Sequence, residues 1–202
     1  MKAIFWQSTN AVPIKFCQEI IEYAKTRDKS LGVTGSDTKT DDEKKKSLKK
    51  RKSNFLLLIE NWIYKTLNPY IMAANKQMKL NYEISNNEVC QFTIYEQGHH
   101  YGWHQDIWPE AYPETHKDPE VRNKNRKISS VLALNSNNEY EGGVLQVALD
   151  EFHTPKRIIE NIDLSTTGSM VVFPSYLWHR VTPVTKGTRY SLVMWTLGDE
   201  FK

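Results

Sequence analysis

The chain has 202 residues and a net charge of +3, a length that suits one domain with a proper hydrophobic core. Its two cysteines, Cys17 and Cys90, form no Cys-x-x-Cys motif, which excludes a disulfide framework and a cysteine-rich zinc site. The N-terminus turns polar early and no apolar stretch approaches a membrane span, so we expect a soluble, cytoplasmic protein.

The first part of the chain predicts helices. Apolar residues at helical spacing indicate an amphipathic helix over Pro13–Lys25, with the proline in the first turn. The polar segment Leu31–Lys52 predicts a long loop. Its basic run, Lys44–Lys52, is typical of a solvated loop, with a lid or a site for an acidic partner as the alternatives.

A second helix is predicted to begin with a cap at Ser53 or Asn54, and Pro69 is expected to kink or restart it. Its predicted buried face is formed by Phe55, Leu58, Ile59, Trp62 and Ile63. We therefore expect a helical N-terminal part over about residues 1–79.

From about residue 80 to residue 198 the pattern changes to short β-branched and aromatic runs, which are typical of a sandwich or barrel. The predicted strands are Asn81–Ile84, Val89–Tyr95, Ile128–Leu134, Val144–Leu149, Ser169–Phe173 and Tyr190–Trp195. Between them, Gly142 and Gly143 predict a turn with positive φ, either as turn chemistry alone or to allow close approach to a ligand.

A polar, proline-containing segment, Ile107–Arg126, interrupts the strand pattern. A loop of this length inside a compact domain is usually functional or disordered. Its aromatic residues Trp108 and Tyr112 are candidates to line a substrate groove, with ordinary packing as the alternative.

Directly before that loop stands a His-x-Asp motif, His104 and Asp106. Alternate residues of a strand project from one face, so both side chains can point at one site. His179 would complete the two-histidine, one-carboxylate triad of non-haem iron(II) oxygenases, and Arg189 can anchor the far carboxylate of 2-oxoglutarate. We interpret the remaining histidines as solvated loop residues: His99, His100, His116 and His153.

Several stretches carry a family resemblance that reaches from about Arg51 to Trp195. They are Gln91–Gly98, Tyr101–Asp106, Arg126–Ser129, Leu134–Asn135, Tyr140–Gly143, Val172–Ser175 and Arg189–Val193. In these stretches the chain resembles the prolyl 4-hydroxylase-type iron(II)/2-oxoglutarate oxygenases, especially their small bacterial and phage members. The resemblance implies an α+β, mainly β fold: a double-stranded β-helix, or jelly roll, packed against N-terminal helices in a single domain over residues 1–202.

The resemblance also implies roles for individual residues. His104, Asp106 and His179 correspond to the ligands of Fe(II), Arg189 to the residue that binds the C5 carboxylate of 2-oxoglutarate, and Tyr95 to a hydrogen-bond donor beside that cosubstrate. The implied reaction consumes O2, releases succinate and CO2 and hydroxylates an unactivated C–H bond, with ascorbate as the reductant that keeps iron reduced.

The sequence departs from the family at Ala133, where some members carry a tyrosine that assists the cosubstrate anchor. Tyr95 and Ser129 are the alternatives for that contact. Asp106 argues against a halogenase, in which a small residue replaces the carboxylate. Trp195 stands where alkylated-base demethylases carry a second arginine, which disfavours nucleic-acid repair.

The implied partner is a peptide or protein substrate, most directly a peptidyl proline hydroxylated at C4. Another amino-acid residue, free proline or another small molecule stays open as the acceptor, and the oligomeric state is not predicted. The non-enzyme alternative is a jelly-roll binding module that keeps the metal without turning over 2-oxoglutarate.

Overall fold

The computed structural model describes residues 4–27, 30–32, 48–148 and 159–199. Its longer helices are α1 (Ile14–Lys25) and α2 (Asn61–Gln77). The strands are β1 (Trp6–Ser8), β2 (Ser30–Gly32), β3 (Arg51–Leu58), β4 (Asn86–Asn87), β5 (Cys90–Tyr95), β6 (His100–His104), β7 (Lys124–Ala133), β8 (Tyr140–Gly142), β9 (Leu145–Ala148), β10 (Ile159–Asn161), β11 (Met170–Pro174), β12 (His179–Val181), β13 (Val184–Gly187) and β14 (Arg189–Asp199).

Ten of the strands form a curled antiparallel sheet in the order β1–β11–β7–β14–β5–β3–β6–β12–β9–β10, which β2 joins by pairing with β3 and β4 by pairing with β14. Strands β8 and β13 form a separate two-stranded sheet. Strand β3 joins the two halves of the larger sheet, because residues 54–58 pair with β5 while Arg51 and Lys52 pair with β6. We call β1, β11, β7, β14, β5 and β3 the major sheet, and β6, β12, β9 and β10 the minor sheet. The architecture is the jelly roll of mainly β character that the family resemblance implies.

Alternate residues of each strand point to opposite faces of the major sheet, so its buried side chains belong to two separate cores. Met170 and Val172 of β11 pack in a cluster that includes the buried faces of α1 and α2. Val171 and Phe173, the alternate residues, pack in a second cluster with residues of β9 and β12 in the minor sheet. All four side chains are fully buried. The major sheet is therefore covered on both faces, which explains its nearly continuous apolar runs.

The predicted first helix is confirmed as α1, which begins at Ile14 with Pro13 as its N-cap. The predicted start of the second helix is wrong. Residues 51–58 form β3 instead, in which Leu56 and Leu58 are buried while Leu57 is 58% exposed. That period of two fits a strand, and pairing with β5 satisfies its backbone; α2 begins only at Asn61 and continues through Pro69.

Two further expectations for the first half of the chain need correction. Residues 1–79 are not only helical, because β1, β2 and β3 lie within them and belong to the sheet. The predicted strand Asn81–Ile84 is not formed. In this segment the backbone of Tyr82 pairs with a side chain and not with a strand. The amide of Asn75 in α2 accepts from the N–H of Tyr82 at 3.1 Å and donates to its C=O at 2.9 Å.

The predicted loop Leu31–Lys52 is bounded by β2 and β3, and residues 33–47 lie outside the described part of the chain. Both cysteines are free and buried, and burial raises the pKa of each thiol to about 12. They thus behave as small apolar residues. Within the described ranges, neither the length nor the hydropathy of any helix is sufficient for a membrane span.

Candidate active site

Three potential metal ligands converge where strand β6 ends and the neighbouring strand β12 begins. His104 ends β6 and His179 begins β12, and the two are paired directly across these antiparallel strands. The carboxylate oxygens of Asp106 lie 3.6 Å from His104 Nε2 and 3.4 Å from His179 Nε2. All three residues are buried, and their donor atoms lie within 4.8 Å of one another. The group can therefore surround a single ion.

Backbone carbonyls fix the orientation of both imidazoles. His104 Nδ1 lies 2.8 Å from the carbonyl oxygen of Gly102, and His179 Nδ1 lies 2.8 Å from that of Leu177. A carbonyl can only accept a hydrogen bond, so this geometry assigns the proton to each Nδ1. Each Nε2 then keeps its lone pair and points it towards Asp106, as metal-binding histidines require.

Asp106 reaches the site through a bend and not through strand alternation. We predicted a strand that continues to Asp106, but β6 ends at His104. The backbone N–H of Asp106 instead donates to the carbonyl oxygen of Ser175 at 2.9 Å. Ser129 Oγ donates to Asp106 Oδ2 at 2.7 Å and lies 3.0 Å from Ser175 Oγ. Ser129 thus serves the carboxylate of Asp106, which argues against it as the cosubstrate contact.

The electrostatics of the group favour the forms that bind a cation. Burial lowers the pKa of His104 to about 3, and the neighbouring His179 adds to that effect. Burial opposes ionisation of Asp106, but the electrostatic influence of His179, His104 and Arg126 and the hydrogen bond from Ser129 outweigh it. The pKa of Asp106 falls to about 2. At neutral pH the site therefore holds a neutral His104 and an ionised Asp106.

Arg189 lies at the start of β14, opposite Tyr95 at the end of β5. Its guanidinium carbon lies 5.4 Å from the centroid of the Tyr95 ring, and its Nη1 donates to Ser191 Oγ at 3.3 Å. The residue is only 2% exposed, and its Nη2 has no hydrogen-bond partner within the described ranges. Because a buried charged N–H group without a hydrogen-bond partner is costly, this geometry indicates a place for an anionic ligand.

The glycine pair at the end of β8 makes room for that arginine. Gly142 and Gly143 adopt φ values of +76° and +61°, which confirms the predicted turn with positive φ. A Cβ added at Gly143 would lie 3.0 Å from Cδ of Arg189 and 2.9 Å from Cγ2 of Val184. Gly143 is therefore needed for the close packing of the Arg189 stem as well as for the turn.

The triad, Tyr95 and Arg189 line one cavity of about 970 Å³. The segment predicted as a long loop contributes to its more exposed end, since Trp108 and Tyr112 also line the cavity and Trp108 is 46% exposed. Only the last residues of that segment are regular, because β7 begins at Lys124 and a short 3-10 helix spans Pro119–Val121. The structure thus favours the groove-lining interpretation of both aromatic residues.

An ion pair held between two tryptophans forms part of the same wall. Arg126 binds Glu88 with two hydrogen bonds of 2.6 Å, and its Nη1 donates to the carbonyl oxygen of Asp106 at 3.3 Å. Its guanidinium carbon lies 4.9 Å from the Trp108 ring and 3.9 Å from the Trp195 ring. The pair links the wall of the groove to the backbone of Asp106, a connection that the sequence did not reveal.

Contrary to our prediction, the other described histidines do not all lie in solvated loops. His99 is buried rather than solvated, with Nδ1 3.5 Å from the carbonyl oxygen of Ile94. His100 belongs to β6 and places Nε2 2.9 Å from the carbonyl oxygen of Lys49, while His116 does lie in a loop. His153 lies outside the described residues. These positions bring none of the described histidines other than His104 and His179 into the triad.

Sequence reasoning missed Arg51, which it assigned to a solvated basic run. In the structure Arg51 is buried and lines the cavity, with its guanidinium carbon 4.8 Å from the centroid of the Tyr101 ring. The Tyr101 ring in turn stacks on His104 with centroids 3.5 Å apart. Residues 51–58 show no alternation of polar and apolar side chains, so the strand that buries Arg51 is set by its pairing with β5 and β6.

The donor set fits iron(II). Two neutral imidazoles and one carboxylate, arranged on one side of a cation, leave further coordination positions open. The fixed Nδ1–H groups and the hydrogen bond from Ser129 to Asp106 supply the outer contacts that metal ligands need. The same set also binds zinc, nickel or copper at least as well.

Comparison with known proteins gives a consistent result. The profile of the 2OG-Fe(II) oxygenase superfamily matches residues 90–197, more than half of the chain. A PKHD-type hydroxylase of Xylella fastidiosa (strain 9a5c) is 34% identical over 107 residues, which cover 52% of this chain and 42% of the relative. The chain thus spans less than half the length of that relative.

Solved structures agree with the fold. A prolyl-4-hydroxylase of Pseudomonas putida superposes with a TM-score of 0.66 at 20% identity, covering 96% of this chain and 92% of that one. A prolyl hydroxylase of Trichoplax adhaerens, in complex with a hypoxia inducible factor peptide fragment, gives a TM-score of 0.63 at 16% identity, with 96% and 83% covered. At these identities the likeness establishes a shared fold.

Proposed function

Because the chain belongs to the 2OG-Fe(II) oxygenase superfamily, we propose that it is an Fe(II)- and 2-oxoglutarate-dependent dioxygenase of the prolyl 4-hydroxylase type that hydroxylates a peptidyl proline. The observation that carries the proposal is one cavity that holds both a buried His104–Asp106–His179 cluster and Arg189, whose buried Nη2 has no hydrogen-bond partner among the described residues. A metal and a dicarboxylate can therefore be bound side by side.

In this proposal His104, Asp106 and His179 hold the metal. When bound, iron(II) would supply the activation of O2 that converts 2-oxoglutarate to succinate and CO2 and hydroxylates a C–H bond of the acceptor. The protein binds and orients the reactants. Ascorbate enters only as a reductant that maintains iron(II).

Arg189 binds the C5 carboxylate of 2-oxoglutarate. Its planar guanidinium can donate two parallel hydrogen bonds to a carboxylate, and burial in the cavity excludes competing water. Tyr95, in register with Arg189, offers a hydroxyl beside it. Burial raises the pKa of Tyr95, so its hydroxyl stays protonated and can donate a hydrogen bond.

The acceptor is proposed to lie across the exposed end of the cavity, between the aromatic residues Trp108 and Tyr112 and the triad. A proline-containing peptide is extended before it binds, which lowers the entropy cost of fitting such a groove. The prolyl-4-hydroxylase and peptide-bound prolyl hydroxylase that share the fold support this class of acceptor.

Cosubstrate binding is tested by titrating 2-oxoglutarate into the manganese(II) form of the protein. Each charge-assisted hydrogen bond contributes about 1.5–3 kcal/mol, so Arg189→Ala should weaken 2-oxoglutarate binding by roughly one to three decades. Manganese affinity should stay within about twofold, since Arg189 does not contact the triad. An unchanged dissociation constant would show that another residue holds the far carboxylate.

The acceptor is tested by mass spectrometry with proline-rich peptide libraries and cell lysate, incubated with iron(II), 2-oxoglutarate and ¹⁸O-labelled O2. We expect labelled hydroxyl on proline, accompanied by stoichiometric succinate. Succinate formation that is stimulated only by a nucleotide, a lipid or a free amino acid would overturn the peptidyl-proline assignment. Binding without any turnover of 2-oxoglutarate would instead favour the binding-module alternative.

A further inference from the structure

Two arginines with the same local arrangement begin two strands of the major sheet. Arg189 begins β14 and Arg51 begins β3, and β5 lies between these strands. Arg189 Nη1 donates to Ser191 Oγ at 3.3 Å, and Arg51 Nε donates to Ser53 Oγ at 3.0 Å. Each arginine therefore uses one nitrogen to bind the serine two residues further along its own strand.

In both arginines the Nη2 atom is buried and lacks a hydrogen-bond partner in the part of the chain that the structure describes. Arg51 is only 9% exposed, and both side chains line the cavity that contains the triad. Within the described ranges neither guanidinium forms an ion pair: Glu88 binds Arg126, and Asp106 faces the histidines. Burial of two unpaired cations in one cavity is unfavourable unless anions bind there.

The ligands assumed in the proposed function carry enough negative charge to balance only one of these two arginines. A divalent metal, Asp106, Arg189 and the 2-oxoglutarate dianion together carry no net charge. Arg51 then remains as a buried cation that none of these charges balances. A second anionic group is needed to balance it.

Arg51 lies over a different ring from Arg189, although burial raises the pKa of Tyr95 and the charges of both arginines lower it. Its guanidinium carbon lies 4.8 Å from the Tyr101 ring, on the side of β6, whereas that of Arg189 lies 5.4 Å from the Tyr95 ring. Phe55, which is partly exposed, also lines the cavity, with its ring centroid 5.6 Å from the Arg51 guanidinium carbon. Arg51 thus lines the cavity beside a partly exposed residue, and a ligand in the cavity can reach it.

We propose that Arg51 binds a carboxylate of the acceptor, so that the substrate carries an acidic group close to the carbon that is hydroxylated. For a peptide this group is a neighbouring acidic side chain or the C-terminal carboxylate. The proposal rests on the proposed function, because the charge balance assumes that the metal and 2-oxoglutarate are bound.

The test measures whether a second carboxylate binds beside the loaded site. The protein with manganese(II) and saturating 2-oxoglutarate is titrated with ¹³C-labelled acetate, and the paramagnetic relaxation of the carboxylate carbon is recorded. We expect saturable relaxation in the unmodified protein, at least a tenfold loss of acetate affinity in Arg51→Gln, and a smaller loss in Arg51→Lys. Acetate that binds the metal directly would keep its affinity in both variants, and this result would overturn the proposal.

Arg180→Gln is the matched control. Arg180 also stacks on an aromatic ring, with its guanidinium carbon 4.8 Å from the centroid of Trp103, and donates one hydrogen bond, from Nε to Gln146 Oε1 at 2.7 Å. It precedes Val181 in β12 and follows His179, so it points to the opposite face of the strand from both. Its replacement should leave acetate affinity unchanged.

Other outcomes are equally decisive. Absence of saturable relaxation in the unmodified protein overturns the proposal without reference to any variant, so a folding defect in Arg51→Gln cannot obscure the result. A tenfold loss of 2-oxoglutarate affinity in Arg51→Gln, without second-site acetate binding, would assign Arg51 to the cosubstrate instead. Failure of 2-oxoglutarate itself to bind the manganese form would refute the proposed function, a result distinct from failure of the acetate site alone.

Discussion

Single hydrogen bonds prepare each candidate ligand for its role. His104 and His179 each hold Nδ1 against a backbone carbonyl two residues earlier in the chain. Asp106 is held by the hydroxyl of Ser129 and, through its backbone, by Ser175 and Arg126. The donor atoms therefore need little rearrangement to bind an ion, which reduces the entropy cost of binding.

Replacement of either histidine should abolish metal-dependent turnover. His104→Ala and His179→Ala each remove one of three donors, so metal affinity should fall by more than the 10- to 100-fold loss that is typical of an outer contact. Manganese titration and succinate formation measure the effect. His100→Ala, in the same strand as His104 but bonded to the carbonyl of Lys49, is the control and should behave as the unmodified protein. Full turnover by either triad variant would contradict the site.

Ser129→Ala tests the hydrogen bond that holds the carboxylate. Loss of this hydroxyl leaves Asp106 Oδ2 with one partner fewer, so we expect metal affinity to fall roughly tenfold, at the lower end of the effect of outer contacts. The adjacent Ser130→Ala is the control, because Ser130 Oγ donates to the carbonyl of Met194 at 3.2 Å and points away from the site. Equal metal affinities in the two variants would mean that the bond to Asp106 contributes nothing to binding.

At the scale of elements, the turn after β8 determines where Arg189, the proposed cosubstrate anchor, lies. Gly143→Ala would place a Cβ 3.0 Å from Cδ of Arg189 at a φ of +61°. We expect the affinity for 2-oxoglutarate to fall about tenfold as the arginine shifts, in addition to a loss of about 1–2 kcal/mol of folding stability from the left-handed backbone. Cosubstrate titration and thermal unfolding measure the two effects separately.

Gly98→Ala separates the steric effect from the backbone effect. Gly98 also has a positive φ, +78°, but a Cβ there would meet nothing within 4 Å. This variant should lose similar stability and keep its affinity for 2-oxoglutarate. If both variants bind the cosubstrate equally well, Gly143 serves only the turn.

The sequence predicted best the elements whose residue pattern fits a strand and does not also fit a helix. Val89–Tyr95 and Tyr190–Trp195 are β-branched and aromatic runs, and they form β5 and β14. The segment from Ser53 to Ile63 was misread because Phe55, Leu58, Ile59 and Trp62 fit a helical face by spacing. The choice between helix and strand there is made by pairing with β5, a contact distant in sequence that local periodicity does not contain.

The candidate site, too, could be predicted from the sequence only in part. His104, Asp106, His179 and Arg189 were identified from residue types and resemblance, and the structure brings them to one cavity. The contacts of Ser129 with Asp106 and of Arg126 with Glu88 were not predictable, because each joins segments that only the folded sheet places together.

For the whole molecule, ligand binding and folding should be coupled. The triad joins β6, β12 and the loop after β6, so a bound ion holds together segments that separate on unfolding. Metal at about 100 times its dissociation constant should stabilise the fold by about 2.7 kcal/mol. For a chain of this size that raises the melting temperature by roughly 5–10 °C.

Calorimetry with and without manganese(II) measures this shift, and a chelator should reverse it. His104→Ala should show little or no shift at the same metal concentration. A shift of equal size in that variant would place the stabilising ion elsewhere on the protein.

The division of the site between two sheets has a consequence for the length of the molecule that can bridge it. His104 and His179 belong to the minor sheet and Arg189 to the major sheet, and face-to-face sheets lie about 10 Å apart. The spacing of the two sheets thus fixes the separation of the strands that carry the triad histidines and Arg189. A 2-oxo diacid that is one carbon shorter would fail to reach Arg189 while its keto acid end remained on the metal, and one that is one carbon longer would have to buckle. Under the proposed function we therefore expect the spacing of the sheets to favour the five-carbon diacid over its homologues.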